Sequence, residues 1–93
     1  MDELTKRRLA HNEAVFRAVN EEVSEAHDGD GRTAFVCECA DRACTERVVL
    51  AADEYRFVRA DPRRFVVAPG HVVPELEDVI EHRGGYDVVQ KRL

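Results

Sequence analysis

Every cysteine of this chain lies in one octapeptide, CECADRAC, as Cys37, Cys39 and Cys44. Nothing else in the sequence restricts the fold so tightly, because three thiols this close must share a ligand, react, or be packed apart. Three cannot pair among themselves without leaving one free. The opening MDELTKRRLAHNEAVF lacks the apolar centre of a signal peptide, and no apolar run approaches the roughly 20 residues of a membrane span. The expectation is a cytoplasmic protein with no membrane segment, and cytosolic thiols are kept reduced. That disfavours disulfides and leaves a metal clip, reactive thiols, or core packing.

The 93 residues read as a single domain of the α+β class, 1–93, with a long N-terminal helix over 1–26 and a core over 33–93. The core is a small, mostly antiparallel sheet with a second short helix. A chain this short buries only about 60–65% of its unfolded surface, so a structural metal has room to contribute. In the first helix Leu9, Phe16, Val19 and Val23 recur at spacings of seven, three and four, with Asn12 and Ala26 extending the stripe. Arg8, Glu13, Arg17, Glu21, Glu22 and Glu25 form the opposite face, Arg17 and Glu21 as an i,i+4 pair. HDGDGR at 27–32, with Gly29 and Gly31, stops the helix.

TAFVCEC at 33–39 and TERVVL at 45–50 predict a hairpin with the cysteines at its tip. AADEYRFVRADP at 51–62 returns to helical spacing, with Ala51, Tyr55 and Val58 on one face and Pro62 ending the helix at or before Asp61. RFVVAPG is a third, central strand closed by Pro69 and Gly70. ELEDVIEHRGGYDVVQKR reads as a closing hairpin around Gly84–Gly85, although its first arm could equally begin as a helical turn.

Alternate residues of a strand face opposite ways, so Cys37 and Cys39 share a face and Glu38 points away from it. Cys44 returns after the four residues ADRA, long enough to reverse direction. Three thiolates can then converge on one Zn²⁺, whose structural sites are tetrahedral and completed by a fourth Cys or a His. Of the four histidines, His11 and His27 lie in or just after the first helix and His82 in the last hairpin. His71, in APGHVVPE between Gly70 and Pro74, sits on a loop with a defined backbone and is the preferred fourth ligand. The predicted site is Cys37, Cys39, Cys44 and His71. Three independent buried thiols, or a redox role, are the alternatives.

A catalytic zinc would need an open position and a partner acid or base. Glu38 and Glu75 are the nearby carboxylates, and Glu38 should face away. The H-x-E and P-C-x-x-C pattern of zinc deaminases is absent. The site therefore reads as structural and the protein as non-enzymatic.

The C-x-C-x₄-C spacing resembles that of the cysteine-rich tail following SET methyltransferase domains, where three such cysteines serve one zinc. The likeness is confined to CECADRAC, so neither methyl transfer nor histone binding follows from it. Over most of the chain, NEAVFRAVNE at 12–21, FVCECADRACTERVVL at 35–50, EYRFVRADPRRFVVAPGH at 54–71 and YDVVQK resemble a family of small, stand-alone, uncharacterised actinobacterial proteins with a CxC-x₄-C…PGH pattern. One departure is Val72, where that pattern would place an acidic residue after PGH.

Arg56, Arg59, Arg63 and Arg64 cluster in YRFVRADPRR, the first three at helical spacings. They read as a solvated helix face or as a patch for an anionic partner. The net charge of −5 argues against a general nucleic-acid binder, leaving this stripe as the one route to nucleic acid. The functional expectation is a zinc-binding interaction or regulatory module with a protein or ribonucleoprotein partner. The alternative is a thiol- or metal-responsive regulator.

Overall fold

Asp2 opens the first helix as its N-cap, its carboxylate accepting the Thr5 N–H at 2.7 Å. Helix α1 then runs Glu3–Glu25. The computed structural model describes residues 2–27 and 31–92, so the Asp28, Gly29 and Asp30 part of the expected helix stop lies outside the described residues.

The face that α1 buries differs from the one its apolar spacing predicts. Glu13, Arg17, Asn20 and Ser24 are buried, Leu9, Phe16 and Val23 only half-buried, and Val19 and Ala26 are exposed. Glu13 and Arg17 thus move from the expected solvent face to the core side. The reason is that Arg17 and Asn20 have distant hydrogen-bond partners that no helical periodicity encodes, and Glu13 lies beside Lys91, while the Ser24 hydroxyl donates locally to the Glu21 carbonyl. Arg17 donates to the carbonyls of Arg59 (3.0 Å), Asp61 (3.1 Å) and Pro62, and lies 4.9 Å from the centroid of the Phe65 ring. Arg56 in turn donates to the carbonyls of Ser24 and His27 at the end of α1. Each helix supplies the arginine that satisfies carbonyls at the other's C-terminal end, where the backbone has no intrahelical donors.

Strands β1 (Arg32–Val36) and β2 (Arg47–Ala51) form the expected antiparallel hairpin, in register from Arg32↔Ala51 to Val36↔Arg47. Helix α2 (Ala52–Arg59) follows without a loop, and the Glu54 carboxylate accepts the Ala51 N–H at 3.2 Å. Its inward face is Tyr55 and Val58, as the spacing predicts. Tyr55 stacks on Phe35 with centroids 4.6 Å apart and planes at 16°.

The second sheet contains β3 (Arg64–Val67), β4 (Glu77–His82) and β5 (Asp87–Lys91) in the order β3-β5-β4, all antiparallel. RFVV is therefore an edge strand of its sheet, not the central one expected. The β4–β5 hairpin folds back around Gly84–Gly85, Gly84 at φ 79°, and lays β5 against β3. Both readings of the first arm hold in part: Leu76 and Glu77 N–H groups donate to the Val73 carbonyl in one helical turn, after which β4 begins.

The edge of β3 is not left open. Past the end of β1 the chain runs alongside it, Glu38 N–H donating to Val66 O at 2.8 Å while the Glu38 carboxylate accepts Val66 N–H at 2.9 Å. Asn20 does the same for β1, accepting Val36 N–H at 2.9 Å and donating to Val36 O at 2.8 Å. Two side chains thus stand in for missing strand neighbours and join the two sheets to α1.

Glu13 is fully buried beside Glu77, with the Lys91 ammonium 3.6 Å away. Burial and the neighbouring Glu77 carboxyl push its pKa up to about 8, Lys91 offsetting only part of this. A carboxyl held protonated by the fold binds more protons folded than unfolded between its ordinary value and the raised one. Stability therefore falls as pH rises from about 4.5 to about 8. Glu13→Gln keeps a donor towards Glu77 without the ionisation. It is expected to flatten this part of the pH–stability curve and to stabilise the protein at pH 8 by on the order of 2 kcal/mol. Parallel pH–melting curves of the two proteins test it.

Candidate metal centre

The segment after β1 carries Cys37 and Cys39 out of the hairpin with their side chains on one side, and Glu38 on the other, as strand alternation predicts. A tight turn then brings Cys44 back. The Asp41 carbonyl accepts the Cys44 N–H at 3.0 Å and its carboxylate accepts the Ala43 N–H at 2.9 Å. His71 arrives from the other sheet. Ala68-Pro69-Gly70-His71 closes a turn with His71 N–H donating to Ala68 O at 3.0 Å, and Gly70 takes φ 83°. Proline at the second position and a positive φ at the third are the signature of a type II turn, which glycine adopts without strain. A Cβ on Gly70 would meet no atom within 4 Å, so backbone conformation, not space, favours glycine here.

The four predicted ligands converge. One sulfur from each cysteine and one nitrogen of His71 all lie within 4.8 Å of one another. His71 Nδ1 is 3.5 Å from Cys37 Sγ and 3.6 Å from Cys44 Sγ. A tetrahedral zinc with Zn–S near 2.3 Å and Zn–N near 2.05 Å has S···N edges of about 3.6 Å, so these separations are those of two ligands on one ion. Nδ1 is the nitrogen facing the sulfurs. All three cysteines are free thiols, Cys37 and Cys39 buried and Cys44 half-buried.

Three thiolates and a neutral imidazole on Zn²⁺ carry one net negative charge, which needs nearby donors. The Ala68 N–H points at Cys37 Sγ, 3.1 Å away, and the same residue's carbonyl anchors the His71 turn. Burial raises the pKa of Cys37 and Cys39 in the absence of an ion. A metal entering the site must therefore displace their protons. The donor set and spacing fit a metal ion of the zinc type, with four protein ligand atoms available to it. A shallow cleft of about 250 Å³, lined by Cys39, Ala40, Asp41, His71 and Val73, leads to the cluster from outside.

Glu38 is 1% exposed and its carboxylate is the centre of a buried network. It accepts from Tyr55 OH at 2.6 Å, Asn20 Nδ2 at 2.9 Å and Val66 N–H at 2.9 Å. Sequence reasoning found which way this residue points but not what it meets. Nothing in the alternation alone says that the side opposite the two ligands is the core, but a buried carboxylate requires donors, and Glu38 has three.

The arginines of the predicted stripe do not form one surface. Helix α2 ends at Arg59, so Arg63 falls in the following turn and Arg64 opens β3. Each also has an internal partner. Arg56 pairs with Asp53 at 3.0 Å, Arg59 with Glu21, Arg63 with Asp61 at 3.4 Å, and Arg64 with Asp61 at 3.7 Å. Among the described residues, no helix is long and apolar enough to cross a membrane. No protein-family model, curated protein or solved structure matches the chain.

Proposed function

We propose that the protein is a non-enzymatic interaction module of the cytoplasm whose fold is held by one structural Zn²⁺ on Cys37, Cys39, Cys44 and His71. The observation that carries this reading is the convergence of the four ligand atoms, with His71 Nδ1 at ligand-edge distance from two cysteine sulfurs of the segment between β1 and β2. The carboxylates that a hydrolytic zinc would recruit are committed elsewhere. Glu38 faces the core, Asp41 holds the Ala43 N–H, and Glu75 lines a separate groove. That groove, about 450 Å³ between α1 and the C-terminal strand, is lined by Lys6, Arg7, Glu75, Lys91 and Arg92, of which Lys91 pairs with Glu13 and Arg92 with Asp78. Lys6 and Arg7, which form no ion pair among the described residues, support an acidic protein surface as the partner, in place of the dispersed arginine stripe.

Elemental analysis of untagged protein, with Co²⁺ exchanged into the site, tests the metal assignment. One ion per chain is expected, with thiolate-to-metal charge transfer and the intense visible bands of a tetrahedral S₃N site. Changing outer-shell partners alone alters metal affinity by about 10–100-fold, so His71→Ala, which removes a direct ligand, is expected to weaken Co²⁺ binding by at least about 100-fold. Octahedral cobalt bands, or an unchanged affinity in His71→Ala, would overturn the Cys₃His assignment.

A further inference from the structure

With Glu13, Arg17, Asn20 and Ser24 turned inward, the outer face of α1 is left to Leu4, Arg8, His11, Val15, Ala18, Glu22 and Glu25, all exposed. These positions alternate in steps of four and three along the whole helix, the repeat of a helix–helix seam. Leu4 is 60% exposed, Val15 46% and the flanking Val19 44%, in contrast to the buried polar face of the same helix.

The charge along this face is ordered. Arg8 lies in its N-terminal half, and Glu22 and Glu25 in its C-terminal half. Glu22 and Glu25 at the C-terminal end oppose the helix dipole, whereas the Asp2 cap and Glu3 at the N-terminal end accord with it. The last turn of α1 contains no basic residue. Glu21 is answered within the chain by Arg17 and Arg59, but among the described residues Arg8, Glu22 and Glu25 form no ion pair.

We infer that this face pairs with the same face of a second copy of the chain, the two α1 helices antiparallel about a two-fold axis near Val15. Antiparallel pairing about that point sets Arg8 of each copy against Glu22 of the other, His11 against Ala18, Leu4 against Glu25, and Val15 against itself. The seam then has Val15 on the axis, His11 and Ala18 beside it, and an Arg8–Glu22 pair on each side. A parallel pair would instead place Arg8 on Arg8 and Glu22 on Glu22. The 23-residue helix is about 34 Å long, and helices packed at 8–10 Å with a small crossing angle stay in contact along such a length. An interface of one helix per copy lies at the small end of stable contacts, near 1,000 Å² in total, so the dimer dissociates in about the micromolar range. The inference does not depend on the metal assignment.

Sedimentation equilibrium of the full chain as purified, over a wide concentration range, tests it. The wild type is expected to show a reversible monomer–dimer equilibrium. Val15→Asp, which places two carboxylates at the axis, is expected to be monomeric throughout, with an unchanged far-UV spectrum because the site is exposed. Arg8→Glu and Glu22→Arg should each weaken the dimer by on the order of tenfold, and the double exchange should restore it. A wild type that stays monomeric at every concentration overturns the proposal. So does a dimer indifferent to Val15→Asp, or one that the double exchange weakens further; the last two outcomes would place the contact elsewhere or in another orientation.

Discussion

Chelation of the metal is expected to leave the chain without a cooperative thermal transition at 25 °C, and one equivalent of Zn²⁺ to restore it. Structural zinc in small domains contributes on the order of 10 kcal/mol. A domain of this size is stable by about 5–15 kcal/mol in all. Removing a contribution comparable to the whole leaves little, and the geometry says where the loss begins. An ion bound there would link the Cys37–Cys44 segment, between β1 and β2, to His71, which follows β3, joining positions 34 and 27 apart in the chain. Without it, the direct ties there reduce to the Glu38 bonds to Val66 and the Ala68 N–H on Cys37 Sγ. Amide exchange in the metal-free protein should lose protection first over 37–44 and 68–73. Cys39→Ser, at a buried ligand, should mimic chelation. A melt that ignores both the chelator and Cys39→Ser would reduce CECADRAC to three packed thiols.

The parts of this site that were legible in the sequence follow from strictly local rules. Parity along an extended segment assigns Cys37 and Cys39 to one side, and Pro69-Gly70 specifies a turn whose last residue is His71. The β1–β2 hairpin and the inward face of α2 were readable for the same reason. What was not legible depends on partners far away in sequence. The apolar spacing of Leu9, Phe16, Val19 and Val23 suggested one inward face, yet α1 turns Glu13, Arg17, Asn20 and Ser24 towards the core. Arg17 is buried because the C-terminal end of α2, more than 40 residues on, needs donors. Asn20 is buried because Val36 has an N–H and a C=O with no strand beside them. Periodicity reports where apolar side chains recur and is blind to polar side chains such as Arg17 and Asn20, whose partners lie elsewhere in the chain. The order β3-β5-β4 was hidden similarly, since pairing of β5 with β3 is a long-range choice made by the closing hairpin.

Glu38→Ala is expected to be the most damaging single change outside the ligands, lowering the melting temperature by about 15–25 °C. The carboxylate satisfies three donors, from Tyr55, Asn20 and Val66. Truncation leaves all three buried without an acceptor, at about 1–3 kcal/mol each. Because they share one cavity the costs do not add fully. A net loss of about 3–4 kcal/mol, at 4–8 °C per kcal/mol for a domain this small, gives that shift. Tyr55→Phe removes a donor together with its demand and should cost only about 1 kcal/mol. Glu38→Gln should fall between the two, since an amide keeps one oxygen for Tyr55 and Asn20 but turns an N–H₂ against the Val66 N–H. Metal content separates this effect from a disturbed site: Glu38→Gln should retain one ion per chain while melting earlier. Loss of the ion in Glu38→Gln would mean instead that the network acts by positioning its neighbours Cys37 and Cys39. The two functions are adjacent for a geometric reason. In an extended segment the residue between two ligands must face the other way, so the dipeptide step that presents two thiols to a metal also drives a carboxylate into the core. There it holds α1, α2 and β3 together, and the metal on one side and the helices on the other are fixed by the same three residues.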